Sequence, residues 1–220
     1  MKTKYIILLL VVFIFNSCIV KSLHPFYTKK TISSNKQFLG EWKDNEGAVW
    51  KVKSLVKEIL NEKPIDSLKK DDLKAYYKYE HAYIVERTKK NEEIFFLTMP
   101  FKVDGQLFLD FIPLDYENYA TNRGLLELHY VSVHSLVKYD VLSNGDIKFR
   151  WLDEDKIQAL FGKKKIKIKH EKIGLFDDNY LLTAKPEELQ KFIKKYMASD
   201  DTDKWKTSTE FTLTKVNEKP

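Results

Sequence analysis

Two titratable side chains on predicted strands could carry acid–base chemistry. Asp110 lies in an otherwise apolar stretch, residues 107–112, and a carboxylate in a buried strand needs a partner or a shifted pKa. We take His134 as the histidine to partner it, because an aspartate and a histidine within hydrogen-bonding reach can move a proton during hydrolysis. The alternative role is structural: Asp110 would accept hydrogen bonds from backbone amides near a strand end, and general experience favours that role.

The other residues whose side chains could take part in catalysis or bind a metal do not form a catalytic or metal-binding pattern. Glu127 and His129 share one face of a predicted strand, whereas His134 is an odd number of positions away and points to the other face. The sequence contains no nucleophile elbow around a serine, no glycine-rich phosphate loop and no His-Glu-x-x-His motif. The histidines lack the close spacing of metal ligands, and the acidic stretch 200–203 lacks the glycine and glutamate of a calcium loop. We therefore predict a non-enzymatic protein without a metal or cofactor.

The only cysteine, Cys18, follows a leader with the parts of an export signal. Lys2 and Lys4 form the charged part, residues 6–15 form an apolar run of ten, and Ser17 is the small residue before the cysteine. A transmembrane helix needs about 20 such residues. The stretch that ends at Cys18 resembles the lipobox of bacterial lipoproteins, which implies cleavage after Ser17, thioether lipidation of Cys18 and acylation of the new amino terminus. The alternative is an ordinary secretory signal with an incidental free thiol.

Lipidation would place the chain in the bacterial cell envelope. Each buried methylene contributes about 0.8 kcal/mol, so a triacylated Cys18 suffices for stable membrane attachment. Residues 19–22 carry no sorting signal that we recognise, so we expect the outer membrane and its periplasmic face. The formal charge falls by two when the leader is removed, from +6 to +4, which is too mild a bias to indicate a nucleic-acid partner. The expected partners are the membrane and an apolar small molecule or an envelope protein.

Turn signals and apolar patterning predict one mainly β domain after the leader. We divide the chain into a signal peptide at 1–17, the lipidated cysteine and a polar tether at 18–35, and a single β-rich domain at 36–220. Turn sequences at 44–47, 104–105 and 144–145 separate strands that should pair as hairpins. The predicted strands are 48–53, 76–88, 94–103, 106–112, 125–142, 146–152 and 210–216. Together they indicate an antiparallel sheet.

Two helices in the second half carry their own start and stop signals. The first covers residues 154–161, with Asp153 as its cap and Gly162 as its terminator. The second covers 186–197, begins with Pro186 at its first position and carries an apolar stripe. Residues 54–75 break the strand pattern, with helical spacing at 55–60 and a loop through the charged cluster 69–72.

Residues 163–172 form a lysine-rich segment between the two helices. As a strand, this segment would point its alternate lysines one way and Ile166 and Ile168 the other way. The favoured interpretation is a solvated edge strand, because edge lysines discourage aggregation. The alternative is contact with lipid phosphate or an anionic glycan at a membrane surface, although the acids at 153–155 dilute the positive field.

Four blocks of the chain resemble parts of an uncharacterised family of bacterial lipoproteins. The blocks are Ser22-Leu23-His24-Pro25-Phe26-Tyr27-Thr28, Leu39-Gly40-Glu41-Trp42 with Trp50, residues 107–113, and residues 181–184 leading into 188–192. The resemblance implies an envelope-anchored, sheet-rich domain and brings no known activity, while residues 53–75 depart from the family pattern. Gly40-Glu41-Trp42 is also similar to the Gly-x-Trp motif on the first strand of lipocalin-type barrels.

A lipocalin-like barrel would enclose an apolar ligand, so we place a ligand cavity beside Trp42, Trp50 and Phe108. The leading hypothesis is a non-enzymatic module that binds a ligand or a partner. One alternative is a hydrolase that acts on an envelope substrate through Asp110 and His134. Another is a structural component of an envelope complex, which should show an exposed apolar patch.

Overall fold

The structure is a computed structural model that describes residues 19–60, 64–114, 131–174, 176 and 179–216. The predicted cleavage and lipidation at Ser17 and Cys18 lie outside the described residues, as do Glu127 and His129. Across the described ranges, none of the helices is long and apolar enough to cross a membrane.

Strands dominate the described residues. They are β1 (Lys21–Ser22), β2 (Gly40–Asp44), β3 (Val49–Ser54), β4 (Tyr83–Lys89), β5 (Glu92–Val103), β6 (Gln106–Leu114), β7 (His134–Val141), β8 (Ile147–Trp151), β9 (His170–Ile173), β10 (Asn179–Leu182) and β11 (Glu210–Lys215). The prediction of a mainly β, antiparallel fold is confirmed. Within the described part of the predicted strand 125–142, β7 begins only at His134, and residues 131–133 are not in a strand.

Eight of these strands close into an antiparallel barrel. Each strand from β2 to β7 pairs with the next one along the chain, and β11 returns to lie between β8 and β2. Phe101 of β5 faces Phe108 of β6, and Leu109 of β6 faces Val137 of β7. Closure gives every barrel strand a neighbour on both sides, so the barrel leaves no open edge for aggregation.

A small side sheet joins the barrel at the beginning of β7. Lys21 and Ser22 of β1 pair with Ser135 and His134 of β7, and β1 also pairs in parallel with β10, which in turn pairs with β9. β8 ends at Trp151, opposite Val137. The first residues of β7 therefore extend beyond β8 and take β1 as their neighbour.

The predicted hairpin turns are confirmed. Asp104 and Gly105 connect β5 to β6 with φ values of 47° and 85°, as a type I′ turn requires at its two central positions. Gly145 between β7 and β8 also has a positive φ, 87°. The two-residue turn at 104–105 fixes the register of β5 and β6, so the sequence there determines which of their side chains lie opposite one another.

The two predicted helices are also present, together with two more. The helices are α1 (Leu55–Leu60), α2 (Lys70–Tyr79), α3 (Glu154–Gly162) and α4 (Pro186–Met197), with 3-10 turns at Lys36–Phe38 and Ile65–Ser67. The carboxylate of Asp153 caps α3 by accepting a hydrogen bond from the Lys156 amide at 3.1 Å. The prediction that Gly162 terminates this helix is wrong, because Gly162 lies inside α3 and the positive φ, 52°, falls at Lys164. α4 buries its predicted apolar stripe, including Leu189 and Ile193.

The prediction of a loop at 69–72 followed by a strand from residue 76 is wrong. Residues 70–79 form α2, and the strand begins only at Tyr83. Asp71 and Asp72 stand in the first turn of α2, where carboxylates favour the positive end of the helix dipole. The half-buried positions 73, 76 and 79 recur every three residues, which is helical spacing. The tyrosines suggested a strand because aromatic residues are enriched in strands.

The sheet separates two hydrophobic clusters. One fills the described interior of the barrel with large side chains that include Trp42, Trp50, Tyr139 and Phe149. The second cluster lies outside the barrel, where α3, α4 and the side sheet cover strands β5 to β7. Period-two alternation along β6 and β7 sends neighbouring residues to different clusters, as with Phe108 and Leu109.

Residues 19–35 belong to this fold, so the prediction of a polar tether up to residue 35 is wrong. Val20 and Phe26 are buried in the outer cluster. Ile32 forms a bridge with Phe101, and the Ser33 amide donates to the carbonyl of Pro100 at 3.0 Å. The segment contains few apolar residues, but two of them fill pockets on the barrel wall. The folded domain therefore includes residues well before the predicted boundary at 36.

Candidate functional site

The structure brings Asp110 and His134 into direct contact. Nδ1 of His134 lies 2.6 Å from Oδ1 of Asp110. The two residues are diagonal neighbours across the β6–β7 ladder, because Asp110 pairs with Leu136 and His134 lies two positions before it. Diagonal pairs on one sheet face are within reach of each other's side chains. The pairing proposed from the sequence is confirmed as geometry.

Asp110 is a buried carboxylate with both oxygens engaged. Its side chain is 2% exposed, and its second oxygen accepts a hydrogen bond from the Phe26 amide at 2.7 Å. Burial raises the pKa of Asp110 above its ordinary value, against the opposing effects of the His134 hydrogen bond and charge and of the Phe26 amide. The amide contact is the structural role that the sequence also suggested.

The surroundings of the pair indicate a docking role. Ser22 lies directly opposite His134 in the β1–β7 pairing, but its hydroxyl donates to the carbonyl of His24 at 2.8 Å. Tyr27 follows Phe26, and burial together with the Asp110 charge raises its pKa to about 12. The described contacts thus tie the amino-terminal segment to the barrel wall through the pair, and they do not aim a hydroxyl nucleophile at His134.

The three aromatic residues predicted to border one cavity do not lie together. Trp42 and Trp50 are packed inside the barrel, with Trp50 and Phe149 ring centroids 5.9 Å apart. Phe108 belongs to the outer cluster, where it stacks on Phe101 at 5.5 Å. Phe108 precedes the inward-facing Leu109, and consecutive strand residues face opposite sides of a sheet. A single cavity bordered by Trp42, Trp50 and Phe108 is therefore excluded by the fold.

Asp44, which the sequence marked only as a turn residue, is the centre of a second buried network. One oxygen accepts the amides of Glu46 and Ala48 at 2.9 and 2.8 Å, and the other accepts the Trp50 indole N–H at 2.9 Å and Arg87 Nη2 at 3.3 Å. Burial alone would raise the pKa of Asp44, but these hydrogen bonds and the Arg87 charge lower it below the ordinary value. The network fixes the first hairpin of the barrel.

A groove of about 950 Å³ lies outside the barrel, between the end of α3, residues 164–169 and α4. Its apolar surface comes from five side chains: Leu160, Ile166, Ile168, Phe192 and Tyr196. The rings of Phe192 and Tyr196 stack with their centroids 5.6 Å apart. We call this feature the basic groove because of the side chains that surround its apolar surface.

Lysines outnumber acids around the basic groove. Its lysines are Lys164, Lys165, Lys167, Lys169, Lys191 and Lys195, and its acids are Glu188, Asp200 and Asp201. Among the described residues, these lysines make one ion pair, between Lys169 and Glu188, with the charged atoms 4.0 Å apart. The other five ammonium groups make none with a described residue, and the groove carries a net positive charge that favours an anionic ligand.

The lysine-rich segment is not the strand that its alternation predicted. Residues 165–169 have no regular structure, and β9 begins only at His170. Ile168 is nevertheless buried and Ile166 half-buried, and both pack on the outer cluster while the intervening lysines stay exposed. The sequence revealed this half of the groove. The α4 half was missed, although Lys191 and Lys195 are four residues apart and therefore on one helix face.

Comparison with known proteins does not assign a family or a function to this chain. A scan against protein-family models and searches of curated proteins and of solved structures found no match. Within the part of the chain that the structure describes, no group of three or more His, Cys, Asp or Glu side chains could hold a metal ion. The basic groove and the Asp110–His134 pair therefore have to be interpreted from their own chemistry.

Proposed function

We propose that this chain is an envelope lipoprotein, anchored through Cys18, whose folded domain is a non-enzymatic binding module. The observation that carries the binding role is the basic groove. Its volume of about 950 Å³ falls in the range of about 300–1,000 Å³ that is usual for small-molecule sites. It combines an apolar surface, which is usual for such sites, with nine charged side chains, six of them lysines.

The binding site that we propose lies outside the barrel, because large side chains fill the described interior. Phe38 is in edge contact with Tyr83 and Phe149 at centroid distances of 5.4 and 5.5 Å. Trp151 and Phe211 are 5.7 Å apart in the same cluster. Interiors of this kind are packed as densely as organic crystals. A ligand inside would have to displace several rings, whereas the groove needs no such rearrangement.

Native mass spectrometry of the protein released from bacterial membranes tests the binding role. We expect a stoichiometric, non-covalent apolar passenger that dissociates at high collision energy. Ile166→Arg places a bulky charge on the apolar surface of the groove and should remove the passenger. Ile94→Arg, at an exposed position of β5, is the matched control and should retain it. A clean apo mass for the unsubstituted protein would contradict the proposal.

The anchor is tested by metabolic labelling with palmitate. Cys18→Ala should abolish incorporation, because the thiol is the proposed site of the thioether, whereas Ser17→Ala should still be labelled. Separation of inner and outer membranes by density, followed by protease treatment of intact cells, tests the proposed periplasmic face of the outer membrane. Rapid digestion of the domain in intact cells would contradict that orientation.

One observation favours a second candidate function, a hydrolase that acts on an envelope substrate. The 2.6 Å contact between Asp110 and His134 is the orienting half of many hydrolytic sites, since a carboxylate fixes the tautomer of a catalytic histidine. Turnover of ester or amide substrates that disappears in both Asp110→Asn and His134→Gln would establish this activity. Absence of turnover in the unsubstituted protein argues against it. A stable envelope partner recovered without any passenger would instead support the structural-component hypothesis.

A further inference from the structure

We propose that the basic groove binds a single anionic phospholipid of the membrane that carries the protein, with an acyl chain on the apolar surface and the phosphate among the lysines. The inference rests on the proposed function, and it names the ligand class of that same groove. The apolar surface and the lysines of the groove together require a ligand that is apolar along one part and negatively charged at one end.

Charge complementarity is the first argument. Lys191 and Lys195 are four residues apart on α4, and both line the groove. Lys195 stands in the last turn of α4, where a cation favours the negative end of the helix dipole, and Lys191 places a second positive charge on the same helix face. Lys165 and Lys167 line the same groove from the irregular segment. A phosphate group between the two elements would satisfy ammonium groups from both, and lysine binds phosphate as a point charge.

The apolar surface supplies the second argument. Phe192 and Tyr196 are the next residues after the two α4 lysines, and their stacked rings lie beside Ile166 and Ile168 in the groove. An acyl chain buries apolar surface at a favourable free energy for each methylene. A purely ionic ligand would leave this surface unused, and a neutral apolar ligand would leave the lysines unused.

The position of the groove supplies the third argument. Ile19, next to the proposed lipid site, forms a bridge with Asp153, and Asp153 caps α3. Leu160, in the last turns of α3, lines the groove. Seven residues of helix span about 10 Å at 1.5 Å per residue. Because residues 19–35 are packed into the fold, no long tether separates the anchor from the domain, and the groove stays within reach of the bilayer surface.

Photo-crosslinking with the full-length protein in lipid nanodiscs tests the inference. The probes are a phosphatidylglycerol and a phosphatidylcholine that carry the same diazirine-labelled acyl chain, each diluted into unlabelled phosphatidylcholine. Crosslinked peptides are located by mass spectrometry. We expect phosphatidylglycerol to label residues 160–169 and 188–201, with a yield at least about tenfold above that of the zwitterionic probe, since each lysine near a phosphate contributes about fivefold to binding.

The double variant Lys191→Glu/Lys195→Glu should lower the phosphatidylglycerol yield by about 25-fold or more, by the same reasoning. Lys29→Glu/Lys30→Glu changes the net charge equally at exposed positions in a turn far from the groove in sequence, and its yield should stay within about twofold of the unsubstituted protein. Circular dichroism must show the same strand signal for all variants. Lys191→Gln/Lys195→Gln serves if the charge reversal disturbs the fold.

The outcomes separate the two proposals. Equal labelling of the groove by both probes would overturn the anionic-phospholipid inference and leave the binding module in place. Labelling of the groove by neither probe would overturn both this inference and the choice of the groove as an amphiphile-binding site. Labelling by phosphatidylglycerol that the α4 charge reversal does not change would also overturn the inference, because the lysines would then not recognise the phosphate.

Discussion

Replacement of Asp110 measures how strongly the amino-terminal segment is held on the barrel. Asp110→Ala leaves the Phe26 amide and Nδ1 of His134 without the partners that now lie 2.7 and 2.6 Å away. Each buried polar group left unpaired costs about 1–3 kcal/mol, and this substitution leaves two groups without their partner. We therefore expect Asp110→Ala to lower the free energy of unfolding by about 3 kcal/mol.

Asp110→Asn is the matched control for this loss. Its amide can accept from the Phe26 N–H and donate to a neutral imidazole, so both contacts persist without a buried charge. We expect a change within about 1 kcal/mol. Urea unfolding followed by tryptophan fluorescence measures both variants, and about 3 kcal/mol corresponds to a midpoint shift of about 1 M at the slope of a protein this size. An alanine variant as stable as the asparagine variant would refute the docking role.

The pH dependence of the protein's stability is a second, independent test of the contribution of Asp110. Burial raises the pKa of Asp110, so the folded protein binds its proton at a higher pH than the unfolded chain does. The contribution of this group to stability is fully present below its ordinary pKa of about 4 and is lost as pH rises through the raised value. The stability of the unsubstituted protein relative to Asp110→Asn should therefore increase as the pH is lowered toward 4.

Further predictions concern the first hairpin and two glycines. Asp44→Ala should cost about 3 kcal/mol, because it leaves several buried donors unpaired. Since the pKa of Asp44 is lowered, its contribution is present above its ordinary pKa and lost as pH falls through the folded value, so urea midpoints of the two proteins should converge in strong acid. Gly105→Ala should lower the free energy of unfolding by about 1 kcal/mol because of the positive φ at that turn. Gly162→Ala, inside α3 with open space around it, should leave the free energy of unfolding unchanged or raise it. Calorimetry measures both variants. Equal effects of the two glycine substitutions would contradict the turn argument.

The turns and helix caps were predictable from the sequence because they depend on local physics. Asp104-Gly105 adopts positive φ values wherever a two-residue hairpin is required, and Asp153 caps the helix that follows it. The α4 stripe needs only helical periodicity. By contrast, α2 was missed because its tyrosines are of a residue type enriched in strands. The docking of Val20 and Phe26 was missed because most residues from 22 to 35 are polar, which favours a tether until the packing on the barrel is known.

The same distinction between local sequence and long-range contacts applies to the candidate sites. Asp110 could be singled out from the sequence because a carboxylate in an apolar strand must have a partner. Its partnership with His134 depends on the β6–β7 register, and nineteen residues of the chain separate these two strands, so no two-residue turn fixes that register. The basic groove joins a segment and a helix that sixteen residues of the chain separate, and only their packing on the barrel brings the lysines together.

The sequence by itself determined the strand-rich, antiparallel character of this protein, its type I′ hairpin and its two capped helices, because backbone preferences act between residues close in the chain. The tertiary structure decided the closure of the barrel, since β11 must pair with β2 about 170 residues earlier. It also decided which aromatic residues fill the interior, which line the outer wall, and that the lysines of two elements face one groove. These features depend on contacts whose loop-closure cost is met only when the whole sheet is formed, and no local pattern encodes them.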